Sequence, residues 1–302
     1  MPISLAATID ASASLCCLAL ALALSSPMAY AVAKYAEPLG ACPSAGTQSA
    51  KVAKIDEGLD ITLQDGRSLH LAGLDPPLPT HDHPDLALKA QNALAGHVGA
   101  GITFVPLSYA PDRWGRLPAF VFVQDKPGEV PQSLAQALLA QGLARFMPAL
   151  EARPCRADFL AAEETARDAH LGLWRDPFYA VLDATDRAAF DDKGATNVIV
   201  EGRLLSVTSN PFRTTLAFSP RPERGFAVTL QQRNLAIFER SGLSFRALIG
   251  QRLRIHGLLD LRFGPQIEIS SPDELELISD GQSQDGSPVQ NLNAARGASQ
   301  VP

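Results

Sequence analysis

Between residues 51 and 124 the chain alternates short apolar runs with polar turns, the rhythm of strands rather than of long helices. Residues 52–55 and 61–63 read as two strands separated by Asp56-Glu57-Gly58-Leu59-Asp60. An Asp65-Gly66 turn signal opens a third strand, in which Leu69, Leu71 and Gly73 face one way and His70 the other, because side chains alternate along a strand. Asp75-Pro76-Pro77 ends it, since proline cannot donate to the ladder. Residues 102–107 and 117–124 supply two more strands on either side of the polar turn 109–116. In three places a period near 3.6 takes over and predicts helices: residues 85–97 through Leu86, Ala90, Ala93 and Leu94, residues 130–141 through Leu134, Leu138 and Leu139, and residues 157–171. Gly142 and Gly172 close the last two. Strands followed by helices predict a small barrel with helices packed on it over residues 51–180.

Residues 181–195, rich in Asp and Ala, read as a linker. Beyond it, residues 196–278 give five strand patterns with a helical stretch within 234–249, between the third and the fourth. Gly202 interrupts the first strand where a barrel strand must bend. This order predicts a second barrel of OB type, so the expected fold is mainly β with α, two OB-fold barrels in tandem. Residues 279–302 are Gly, Ser, Gln and Asn rich and are expected to be disordered.

The N-terminus carries a different signal. Leu15 to Leu24 is an apolar run too short for a membrane span, and Ala29-Tyr30-Ala31 offers a small-x-small cleavage pattern, so residues 1–31 read as a signal peptide and 32–50 as a flexible lead-in. The basic front of such a peptide is missing, with no Lys or Arg before Lys34, which leaves a misassigned start or a retained N-terminal anchor as alternatives. Export places the protein in a bacterial periplasm or outside the cell. Cys16 and Cys17 leave with the signal. Cys42 and Cys155 remain, an even pair in an oxidising compartment, and either form a disulfide or stay as two buried thiols.

A formal net charge of −6 argues against a general nucleic-acid binder held by bulk electrostatics. Residues 196–278 depart from this, with ten arginines and no lysine against eight acids. Arg203, Arg213, Arg233, Arg252 and Arg254 are therefore the candidates for weak single-strand binding, the alternative being an ordinary solvated surface.

Five blocks in order then carry a resemblance. They are Val52-Ala-Lys-Ile-Asp56, residues 69–74 with Asp75-Pro76-Pro77, Asp112-Arg-Trp-Gly-Arg116 with Leu117-Pro-Ala119, Ser133-Leu-Ala through Leu139-Ala-Gln-Gly-Leu-Ala144, and Glu163, Ala166 and Gly172-Leu-Trp174. Residues 51–174 resemble the staphylococcal-nuclease-like, or thermonuclease, family. The resemblance implies a five-stranded OB barrel, and a calcium site where two arginines stabilise phosphate charge and a glutamate acts as general base toward water. Carried onto this sequence, the set is incomplete. Asp75 matches a metal ligand and Arg116 the second arginine, whereas Leu59, His70 and Leu78 occupy the positions of the first carboxylate, the first arginine and the base. Only a one-residue slip brings Asp60 in. Two nucleotide-contacting tyrosines fall on Pro148 and Leu150.

The resulting expectation is a catalytically degenerate exported module, without a cofactor, acting on an unknown protein or envelope partner. The first alternative is a divergent metal-dependent phosphodiesterase cleaving DNA or RNA, using calcium or a transition metal. Its ligands would be Asp75, His81 and His83, whose imidazoles suit zinc or nickel better than calcium. Arg116 is expected either at phosphate or in an ion pair to Asp75. Trp114 is expected either as a stacking platform or packed across its strand, and Trp174 in the core. His97, His170 and His256 call for no functional role.

Overall fold

The computed structural model describes residues 41–278 except 125, 127 and 221–224, and these fall within one compact unit. The stretch expected to be a signal peptide, most of the expected lead-in and the expected disordered tail lie outside the described residues. Among those described, no helix is long and apolar enough to cross a membrane.

The first lobe is a barrel. β1 (Gln48–Ile55), β2 (Ile61–Leu63), β3 (Ser68–Leu71), β5 (Gly101–Pro106) and β6 (Arg116–Val123) pair in the order β3-β2-β1-β5-β6, and a parallel β3–β6 pairing closes the ring. Val52, Ile61, Leu63, Leu69, Leu71, Phe104, Ala119 and Val121 fill it, the inward half of each alternating pattern. β4 (Leu74–Asp75) pairs with β8 (Arg145–Phe146), and β7 (Gln132–Ser133) extends β6.

Three helices pack on the barrel: α1 (Leu86–Ala95), α2 (Leu134–Ala140) and α3 (Arg156–Asp168). α2 starts later than its periodicity suggests because Ser133 caps it, its hydroxyl accepting from the Gln136 amide at 3.3 Å. Phe159 of α3 meets Phe120 and Phe146 edge-on, with ring centroids 6.1 and 6.0 Å apart. The two glycines expected as caps touch each other. A Cβ on Gly142 would lie 2.3 Å from the Leu171 oxygen, and one on Gly172 would lie 2.1 Å from the Gly142 oxygen. Both have positive φ, so no other residue fits this crossing. Cys42 and Cys155 form a disulfide with a sequence separation of 113.

The second lobe corrects the expected tandem barrel. β9 (Leu182–Asp183), β10 (Asn197–Arg203), β11 (Ser206–Ser209), β12 (Arg213–Ala217), β13 (Ala227–Gln231), β14 (Arg252–Asp260), β15 (Gln266–Glu268) and β16 (Leu275–Ile278) form one eight-stranded sheet. Its path is β11-β12-β13-β15-β14-β10-β9, with β16 also on β14, and no pairing joins its ends, so it is open. Two local causes are visible. β9, from the stretch expected to be a linker, occupies the outer edge of β10, while β16 takes the half of β14 that β15 leaves uncovered. Residues 181–195 are thus built into the lobe, with Leu182, Ala184 and Phe190 in its core. Gly202 is required by close approach rather than by a bend, since a Cβ there would lie 2.5 Å from the Ala184 Cβ. The helix expected within 234–249 is broken into α4 (Leu235–Arg240) and a 3-10 turn, Phe245–Leu248.

β10 is buried along five consecutive residues because both faces are covered. Val198 and Val200 face the sheet lobe's core, whereas Ile199 joins Leu86, Ala166, Leu173, Trp174 and Tyr179 in a cluster between the lobes.

Candidate functional site: a divided pocket

The turn between β1 and β2 decides which acid reaches the site. Leu59 has φ 62°, a left-handed conformation that costs a non-glycine residue about 1 kcal/mol. It is accepted because Leu59 is thereby buried in the barrel core. The Asp56 carboxylate accepts the Asp60 amide at 2.9 Å and holds the turn. Asp60 thus points where the sequence register would place it only after a slip.

Asp60 joins His70 and Arg116. Its two oxygens lie 2.8 Å from His70 Nδ1 and 2.9 Å from Arg116 Nη1. Burial acts to raise the pKa of Asp60, but hydrogen bonds and charge from His70 and Arg116 outweigh it and hold the carboxyl below its ordinary value. The rest of the Arg116 guanidinium goes to Asp112, with Nε at 3.0 Å and Nη2 at 2.9 Å from Oδ2. Asp112 is itself fixed by the Trp114 and Arg116 amides at 2.8 and 2.9 Å. All three guanidinium nitrogens therefore have carboxylate partners. Trp114 is 63% exposed, with Arg113 and Arg116 against its ring, so it is not packed across the strand.

Asp75 lies in a second cluster. Arg145 donates to Asp75 Oδ2 from Nη2 at 2.6 Å and Nε at 3.2 Å, and Asn197 of β10 donates to Oδ1 at 2.7 Å. The expected ion pair from Arg116 to Asp75 is not formed. Arg145 also stacks over Tyr179, whose hydroxyl accepts from the Leu78 amide at 2.6 Å and donates to the Leu78 oxygen at 3.0 Å. That clamp fixes the Leu78 backbone and leaves a hydrocarbon side chain, 49% exposed, where the resemblance puts the base.

The histidines diverge from Asp75. His83 Nδ1 lies 3.0 Å from Asp176, which also accepts from Thr80, and His81 is fully exposed beside Asp82. Among the described residues no three His, Cys, Asp or Glu side chains converge as a metal site. The arginines of the sheet lobe also scatter. Arg254 is buried against Glu201 at 2.7 Å, Arg252 pairs with the same carboxylate at 3.2 Å, Arg203 donates to the Gly250 oxygen, and Arg213 and Arg233 are exposed elsewhere.

Arg145, Asn197 and Asp112 were not legible as site residues. Only Asp112 left a signal, the four-residue spacing that lets an Asp cap a turn and grip its own Arg. Arg145 and Asn197 meet Asp75 across 70 and 122 residues, and nothing local marks them.

A closed five-stranded barrel carrying helices, with an acid and an arginine at its strand ends, defines the class of fold. Residues 69–176 match the family model described as staphylococcal nuclease homologue, and an SNase-like domain is present there. The match begins at Leu69, after the Asp60 turn. No curated protein matches the chain.

Proposed function

We propose that the protein is an exported binding module on a nuclease scaffold, without the family's hydrolytic chemistry, presenting its barrel lobe to a protein or envelope partner. The observation that carries this reading is the engagement of Arg116 by Asp60 and Asp112. A guanidinium held by two carboxylates must give up charge-assisted bonds before it can meet a phosphate. Three further features support it. Leu78 offers no proton acceptor, Asp75 is engaged by Arg145 and Asn197, and His70 lacks the fork of donors an arginine gives. Losing oriented electrostatic groups costs orders of magnitude in rate, and here several are altered at once. The disulfide supports export, since such bonds persist in oxidising compartments.

The test is incubation of the purified protein with single- and double-stranded DNA and RNA at alkaline pH, with calcium, zinc, nickel or chelator. No metal-dependent cleavage above a mock purification is expected. Cleavage that calcium supports and Asp75→Ala or Arg116→Ala abolishes would overturn the reading, and cleavage supported by zinc or nickel would favour the divergent phosphodiesterase. A salt titration of oligonucleotide binding separates the remaining alternative, because phosphate contacts weaken steeply as salt rises.

A further inference from the structure

The lobes meet around Phe146, and two orphaned polar atoms lie there. Glu163 of α3 is fully buried. Its Oε1 accepts the Phe146 amide at 2.7 Å, but Oε2 has no hydrogen-bond partner. His256 of β14, on the other lobe, is 2% exposed and packs edge-on against the Phe146 ring at 6.2 Å. Its Nε2 lies 2.5 Å from Glu276 of β16, whereas Nδ1 has no partner. Among the described residues only three buried side-chain polar atoms lack a partner, and these are two of them. Buried polar groups are ordinarily satisfied, so two exceptions on side chains that both touch Phe146 call for a cause.

We propose that Glu163 and His256 form a proton-operated latch between the lobes, closed when one proton is shared by Glu163 Oε2 and His256 Nδ1 across a bridging water and open when that proton leaves. The chemistry follows from the donors available. Nε2–H of His256 is committed to Glu276, so neutral His256 presents a bare acceptor at Nδ1. Glu163 as a carboxylic acid is a donor complementary to it through one water. Carboxylate with imidazolium has the same proton count and is equally complementary. Once the proton passes to solvent, a buried carboxylate and a lone pair are left with no donor between them, and opening the junction to water is the relief.

The surrounding charges set the direction. Glu163 feels burial first, which raises its pKa, against His256, the Phe146 amide, Arg167 and Arg145, which lower it. The nearest cation on its own helix, Arg167, stays 3.8 Å from Oε2. On the sheet lobe Glu276 is held below its ordinary value, since His256, Arg254 and Arg156 outweigh its burial. Glu274 is raised by burial and by Asp273, opposed by the Ser271 and Ser270 amides and by His256. A raised carboxyl stabilises the closed state fully below its unfolded value, here 4.5, and loses that contribution as pH rises through its folded value. The latch thus opens toward alkaline pH. It lies beside an interlobe cleft of about 170 Å³ lined by Asp75, Arg145, Met147, Asn197 and His256. Opening widens the cleft beside the partly exposed Asp75 cluster whether or not the barrel lobe has a partner.

Hydrogen exchange of the full chain, corrected for the intrinsic effect of pH, tests this. Amides of β8, β14 and β16 in the wild type should lose at least tenfold protection between pH 5 and pH 8.5. Glu163→Gln keeps the acceptor for Phe146 and supplies a permanent donor, so its protection should be independent of pH. Should that variant fail to fold, carboxyl carbon NMR of the wild type gives the same decision. A buried glutamate should titrate above the ordinary range, in step with the loss of protection. Constant wild-type protection, an unaltered pH dependence in Glu163→Gln, or titration without loss of protection would each overturn the latch.

Discussion

At the scale of single residues, the barrel lobe shows how one backbone angle reassigns a side chain. Leu59 at positive φ turns inward, and Asp60 is delivered to His70 and Arg116. The pH consequence has a definite sign. A carboxyl depressed in the folded state contributes stability above its unfolded value of 3.8 and loses it as pH falls through the folded value. Asp60→Asn should therefore cost about 1 kcal/mol at pH 7, the modest figure reflecting partial solvent screening, and less at pH 2. Urea denaturation at the two pH values checks this, and an equal deficit at both would show that the loss is not electrostatic. The sequence displayed Asp60 and Leu59 side by side, but which one faces the site depends on φ at position 59. Alternation along a strand carries no information about a left-handed residue.

At the scale of elements, the strands and helices of the barrel lobe were legible because alternation and the 3.6 period report burial on one face. In β10 the signal failed in an instructive way. A strand covered on both faces reads as a continuous apolar run, so the sequence could not show that Ile199 faces another lobe. Closure was equally hidden, because it depends on which edges pair, and the competing edge strand β9 has only two residues. Gly202 records that pairing in its missing side chain. Gly202→Ala forces a Cβ against Ala184 and the Phe218 ring, 2.5 and 3.0 Å away. Overpacking of this kind should lower stability by about 1–3 kcal/mol by equilibrium denaturation. A companion Ala184→Gly change should restore part of the loss. If Gly202→Ala is neutral, β9 does not hold the edge of β10 in solution.

At the scale of the whole molecule, the disulfide and the lobe junction share one short element. The 3-10 turn Leu150–Cys155 leads into α3, and Cys155 at its end is bonded to Cys42. Within two residues of that bond, Arg153 and Arg156 reach the other lobe. Arg153 Nε donates to Asp273 at 2.7 Å, and Arg156 donates to the backbone oxygens of Asp273 and Leu275, each at 3.2 Å. The bond therefore fixes the base from which both arginines extend, as well as restricting the unfolded chain. For a closed loop of this length chain entropy alone gives about 5 kcal/mol. Cys42→Ala with Cys155→Ala should lower global stability by an amount of that order. It should also weaken β16 more than a uniform loss predicts, because the arginine donors lose their anchor. Exchange protection of β16, compared with that of β12 far along the same sheet, separates the two effects. Equal losses in both strands would leave only the entropic role, and a greater loss in β16 would establish that the crosslink in the barrel lobe also governs the seating of the sheet lobe.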